Sequence, residues 1–170
     1  MNALPMNTAT KQPSQPQNSQ LSNRSAQEQI VLNILTLLHA KQPDFDTFTN
    51  AFAENAYYQV HVPSIRPIKG RDRLVAELAR QLEDYEDCRC EIICSAGNNH
   101  RVFTERRDHV TMKKSGQRIF SSVCAVFEFN AEQKISAWRE YWDIRDIQYQ
   151  LGMTEEQMLA LLPRDNKTGD

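Results

Sequence analysis

The stretch Arg101-Val102-Phe103-Thr104-Glu105-Arg106-Arg107-Asp108-His109-Val110-Thr111-Met112 decides the fold. Its residues alternate in character, which predicts a strand over about 100–112. Val102, Thr104, Arg106, Asp108, Val110 and Met112 fall on one face, and Arg101, Phe103, Glu105, Arg107, His109 and Thr111 on the other. The second set is largely polar, Phe103 excepted, and belongs in water. The first is apolar at its ends and charged in its middle, so Arg106 and Asp108 share the inward face, about 7 Å apart along the strand. Buried charges persist only when paired, since desolvating an unpaired one costs several kcal/mol. A planar guanidinium bridges two carboxylates, so a second inward carboxylate is expected.

The last strand, about 134–142, supplies it. Trp138, Glu140 and Trp142 share one face, and two tryptophans there mark it as inward. Asp108, Arg106 and Glu140 are therefore expected to meet as a triad on neighbouring strands of one cavity. A buried network that only fixes sheet register is the alternative. Arg139 and Asp143, on the opposite face, read as solvated charges.

The remaining elements follow outward from these two strands. Strands are expected at about 87–95 and 117–129, joined by turns at Gly97-Asn98-Asn99 and Ser115-Gly116, with Asn130-Ala131-Glu132 before the last strand. Ser25 and Glu28 form a capping-box pattern. They open a helix to about Lys41, with Ile30, Leu32, Ile34, Leu35, Leu37 and Leu38 apolar. A short helix, about 45–54, carries Phe48, Phe52 and Ala53 inward. Ala56 to Val62 reads as a strand, and Pro63 and Pro67 make the next loop irregular. Gly70-Arg71-Asp72 opens a helix to about Tyr85, with Leu74, Val75, Leu78 and Leu82 as its stripe. A polar, partly helical tail follows, with a helical turn or two at Glu155 to Leu162.

This order is α+β rather than alternating βαβ. It predicts a curved antiparallel or mixed sheet wrapped around the N-terminal helices, a cone with an internal pocket. Residues 1–24, rich in Gln, Asn, Ser, Thr and Pro, read as a disordered tail. The domain is expected over 25–163, with a flexible C-terminus at 164–170.

Composition narrows the function. The chain has 170 residues, enough for one domain, and a net charge of −2, which gives nucleic acid or an anionic membrane no electrostatic footprint. No apolar run reaches the roughly 20 residues of a membrane span. No secretory signal opens the sequence, so the cytoplasm is the expected compartment. Five glycines include no phosphate-binding loop, and no GxSxG segment is present. His39, His61, His100 and His109 lack the i, i+4 partner of a metal pair. Cys88, Cys90 and Cys94 share parity and would face one way on a strand. With Cys124 they lack zinc-ligand spacing, so they read as small hydrophobes. No cofactor or metal is expected.

Thr104-Glu105-Arg106-Arg107-Asp108 and Trp138-Arg139-Glu140-Tyr141-Trp142-Asp143 resemble the two signature segments of limonene-1,2-epoxide hydrolases. Ala53-Glu54-Asn55-Ala56-Tyr57-Tyr58-Gln59 and Gly70-Arg71-Asp72 fit the same pattern, and the resemblance runs from about Ile30 to Leu151. The wider group is the nuclear-transport-factor-2-like superfamily, with polyketide cyclases and ketosteroid isomerases.

The resemblance implies a one-step opening of an epoxide by water, with no covalent intermediate. Asp108 would be the base and Glu140 the acid, with Arg106 bridging them and Tyr58 orienting the water. Val60, Val110, Ser121, Val123, Trp138 and Trp142 are expected to line the substrate pocket. The family has Asp where this chain has Glu140. It has Asn where this chain has Val60, and that amide helps hold the water. The expected ligand is a small apolar molecule. Another acid–base enzyme of the superfamily, an isomerase or cyclase, and a non-catalytic ligand-binding module are the alternatives. The resemblance also implies a homodimer through the outer sheet face, with which Phe103 and the aromatic-rich strand 119–129 are compatible.

Overall fold

A computed structural model describes residues 24–62 and 67–161. The expectations for the tail before Arg24, for Pro63 and for 164–170 lie outside the described residues. The elements are α1 (Ala26–Leu37), α2 (Phe45–Ala51), β1 (Phe52–Gln59), β2 (Ile68–Lys69), α3 (Arg71–Asp84), β3 (Tyr85–Gly97), β4 (Arg101–Met112), β5 (Arg118–Phe129), β6 (Ile135–Tyr141), α4 (Ile144–Leu151) and α5 (Glu155–Leu161). The sheet order is β2-β1-β6-β5-β4-β3. β1 and β6 pair in parallel and every other neighbouring pair is antiparallel, so the expected mixed α+β sheet is present.

The α1 capping box forms as expected. The Glu28 amide donates to Ser25 Oγ at 3.2 Å, and the Ser25 amide donates to Glu28 Oε2 at 3.2 Å. Glu28 also accepts a bond from Ser95 Oγ at 3.0 Å, which ties α1 to β3. The buried stripe includes Val31, Ile34, Leu35 and Leu38, an i, i+3, i+4, i+7 set. Ile30 and Leu37, expected in that stripe, are only half-buried at its margin.

α1 stops at Leu37, four residues before the expected end at about Lys41, and α2 also ends early. α2 stops at Ala51, three residues early, because Phe52 is already extended and pairs with Ile135 of β6. Phe52 and Ala53 are buried as expected, from a strand rather than a helix. α3 gives way at Tyr85, which begins β3 opposite Met112. The two-residue strand β2 occupies part of the loop expected to be irregular. α4 was hidden in the polar tail. Asp143 caps it by accepting from the Arg145 amide at 2.8 Å, and Gly152 ends it with φ 62°.

The shared parity of the cysteines fails in β3. Register shifts between Glu86 and Arg89 and between Ile92 and Cys94 break the alternation, so Cys90 is buried while Cys94 is exposed. Of the two charges expected to be solvated, Asp143 is exposed and Arg139 is half-buried. Arg139 Nη2 bonds Glu128 Oε1 at 2.8 Å, and Asp143 serves as the cap of α4.

The core lies between the concave sheet face and the helices. Val31, Phe48, Phe52, Leu74, Phe127 and Trp138 are buried at its centre. Trp138 stacks on Tyr58, Phe127 and Phe52, with centroids at 4.6, 5.2 and 6.1 Å. Each fully buried large apolar side chain contributes roughly 1.5–3 kcal/mol. This stack therefore holds the floor on which the polar cluster stands.

Candidate active site

Strand alternation delivers the polar groups. On β4, Val102, Thr104 and Arg106 are buried while Phe103, Glu105 and Arg107 are exposed. On β6, Trp138 and Glu140 are buried while Tyr141 is exposed. Arg106 and Glu140 do not come from neighbouring strands, because β5 runs between β4 and β6. Arg106 lies opposite Val123, and Glu140 lies opposite Ala125. The guanidinium therefore crosses β5 on a diagonal, over a pair of small side chains.

Arg106 is 2% exposed and engages both carboxylates. Its Nε donates to Asp108 Oδ1 and Oδ2, each at 3.0 Å, and its Nη2 donates to Glu140 Oε1. Tyr58 Oη donates to Glu140 Oε2 at 3.3 Å. The parallel register places Tyr58 beside Trp138, so its ring is clamped while its hydroxyl reaches Glu140. The geometry joins four polar side chains in the order Asp108, Arg106, Glu140, Tyr58.

The two carboxyl groups have different surroundings. Glu140 is buried, and burial pushes its pKa up; Arg106 opposes that shift and the nearby Asp108 charge adds to it. Asp108 is more open, with 23% of its side chain exposed. Burial would lower the pKa of the Arg106 guanidinium, but Glu140 and Asp108 outweigh it and hold the group charged. Burial also raises the Tyr58 phenol, with Glu140 adding to the effect, so that hydroxyl keeps its proton. The cluster thus sets an enclosed carboxyl with a raised pKa beside a more open carboxyl.

A cavity of about 220 Å³ opens over the cluster. Asp108, Arg106, Glu140 and Tyr58 line it, and so do Val60, Val110, Ser121, Val123, Trp138 and Trp142. Glu77, Arg80, Gln81 and Asp84 of α3 also line it, but the lining surface as a whole is mostly apolar. Val60 presents an aliphatic wall beside Tyr58, while its carbonyl accepts from Trp142 Nε1 at 2.6 Å. His61 is buried after the end of β1 and packs edge-on to Trp142 at 5.9 Å.

Sequence reasoning missed other walls: Leu78, Tyr85, Met112, Ile147, Leu151 and Met158. Leu78 was assigned to the core stripe of α3. Ile147 and Leu151 were findable, since Ile144, Ile147 and Leu151 are spaced for a helix between Asp143 and Gly152. Among the described residues no group of His, Cys, Asp and Glu has a metal-binding arrangement.

A mixed sheet curved over helices, with Arg106, Glu140 and Tyr58 buried at the floor of its cavity, is the architecture of a nuclear-transport-factor-2-like protein. The chain belongs to the limonene-1,2-epoxide hydrolase family, whose catalytic domain it matches over residues 26–152. A solved LEH-like epoxide hydrolase from M. tuberculosis is similar to it at 26% identity. That match covers 79% of this chain and 92% of that one, with a TM-score of 0.62. The fold is shared with a SnoaL-like polyketide cyclase from Shewanella denitrificans at 15% identity, covering 76% and 98% of the two chains, TM-score 0.66. It is also shared with an epoxide hydrolase/cyclase-like enzyme of pyran ring formation in polyether salinomycin at 18% identity, covering 71% and 92%, TM-score 0.61. No curated protein sequence matches the chain significantly.

Proposed function

We propose that this protein hydrolyses a small apolar epoxide to a diol in one step. Asp108 takes a proton from water as the water oxygen attacks an epoxide carbon. The C–O bond breaks, and Glu140 delivers its proton to the departing oxygen. Arg106 bonds both carboxyls and keeps them in register. Tyr58 holds Glu140 from the other side. The observation that carries this reading is the buried carboxyl of Glu140, bonded by Arg106 and Tyr58 and biased by burial toward its protonated form. The apolar walls support a hydrophobic substrate. The test is diol formation in oxygen-18 water from a panel of terpenoid and simple alkyl epoxides. One labelled oxygen per diol is expected; no diol from any member at high enzyme concentration would sink the reading.

A second reading is favoured by Val60. Its side chain offers no hydrogen bond at the position where the family's amide helps hold the water. That suits an acid–base enzyme that uses Asp108 on a C–H bond, an isomerase or cyclase. Deuterium exchange into an enolisable ketone, lost in Asp108→Asn, would select it. A ligand retained in the cavity without turnover of either substrate type would instead point to a binding module.

We also propose a homodimer through the outer sheet face. Phe103, Phe120 and Tyr141 stand on that face at 50, 52 and 42% exposure, and aromatic side chains are enriched where interfaces form. Light scattering reporting a monomer would contradict it. Among the described residues no helix is long and apolar enough to cross a membrane, and we propose a cytoplasmic location.

A further inference from the structure

We infer that Met158, on α5, sets the length of the apolar ligand that the cavity accepts. The inference rests on the reading that the cavity holds a small apolar molecule, and it does not depend on the hydrolytic step. The family match ends at residue 152, and α5 begins at Glu155. The cavity of this chain therefore includes a wall supplied from beyond the shared catalytic domain.

On α5, Glu155, Glu156, Gln157 and Ala160 are exposed and Leu159 is half-buried, while Met158 is 5% exposed and lines the cavity. Among the described side chains of α5, Met158 is the buried one. The chain reversal before α5 positions it. Gly152, at φ 62°, ends α4, a conformation that costs a glycine little. The Met153 amide then bonds the Gln148 carbonyl at 3.1 Å, and Gln148 Nε2 bonds the Met153 carbonyl at 3.1 Å. Thr154 and Gln157 cap α5 reciprocally, at 2.9 and 3.2 Å. These bonds aim Met158 at the same cavity that Ile147 and Leu151 line from α4.

Methionine is unbranched and polarisable, so it fills an irregular end of a cavity and adapts to what it meets. Shortening it lengthens the apolar space without touching Asp108, Arg106, Glu140 or Tyr58. Each methylene that gains burial tightens binding about fourfold.

The test uses the full chain and 1-alkanols from hexanol to dodecanol, which lack a ring to open. Binding is read from tryptophan fluorescence, because both tryptophans of the sequence, Trp138 and Trp142, line the cavity. In Met158→Ala the tightest-binding alkanol is expected to be about two methylenes longer than in the parent, with roughly fifteenfold tighter binding at that length. In Met158→Phe the optimum should move to shorter chains. Met158→Val carries the same expectation as alanine, at a smaller shift, and serves if the alanine variant melts early. An optimum that stays at the parent length in the folded variants overturns the role of Met158 and leaves the apolar cavity standing. No saturable binding of any alkanol by the parent overturns both.

Discussion

Ala125 of β5 lies directly opposite Glu140 of β6, and it is 1% exposed. Its neighbour on the other side is Thr104 of β4. A methyl group at this place keeps the diagonal from Arg106 to Glu140 clear. Strands two apart in a sheet are separated by about 9.5 Å, a span that only a long side chain crosses.

Replacing Ala125 with leucine should therefore disconnect the cluster without removing any of its members. Diol formation is expected to fall at least about a hundredfold, the scale of a 1 Å misplacement. The overpacked core should also lose about 1–3 kcal/mol. Turnover and urea unfolding check the two effects. Full activity in a folded Ala125→Leu protein would contradict this account of how Arg106 reaches Glu140.

Asp108→Asn and Glu140→Gln each remove a proton-transfer group while keeping its shape. Each should lower kcat by about 10²- to 10⁴-fold and leave alkanol binding nearly unchanged. The double variant should lose less than the product of the two, because both groups bond the one guanidinium. Steady-state kinetics beside fluorescence titration checks this; equal losses in binding and in kcat would make the cluster a structural one.

Arg106→Ala leaves Glu140 buried without its cation. Breaking a buried pair on one side costs about 3–5 kcal/mol. Chemical denaturation should show that loss, and Arg106→Lys should recover part of it as a point charge without the two-sided reach. A loss below about 1 kcal/mol would mean that the pair bears little on folding.

The raised pKa of Glu140 has a definite sign. The folded protein keeps this proton at pH values where the unfolded chain, near the ordinary glutamate value of about 4.3, releases it. The stability it contributes is full below that value and is lost as pH rises through the folded pKa. For turnover the same titration removes the general acid, so kcat should fall on the alkaline side. Glu140→Gln should abolish that limb in its residual activity. A limb unchanged in Glu140→Gln would assign it to another group.

The site was largely legible in the sequence because period-two alternation is a local code. A charged pair at Arg106 and Asp108 within an inward face, and Glu140 between two tryptophans, needed no knowledge of packing. The strand order did need it. Nothing in either segment says that β5 runs between them, so the expectation of neighbouring strands failed. The cysteines of β3 failed for a different reason: two register shifts break the alternation there, and no glycine or proline marks them. The early end of α2 reflects Phe52 pairing with Ile135, 83 residues on, where local propensity says nothing. The caps of α4, by contrast, were written at Asp143 and Gly152.

The parallel pairing of β1 with β6 also shapes how the protein comes into being. Tyr58 and Glu140 are 82 residues apart, and their strands lie side by side only when one of the earliest strands meets the last. The hairpins of β3, β4 and β5 can form from nearby sequence, but this closure pays the loop entropy of most of the domain. On the ribosome, the cavity floor must wait for β6 to emerge. Until then, Arg106 and Tyr58 belong to a chain that has no active site to offer.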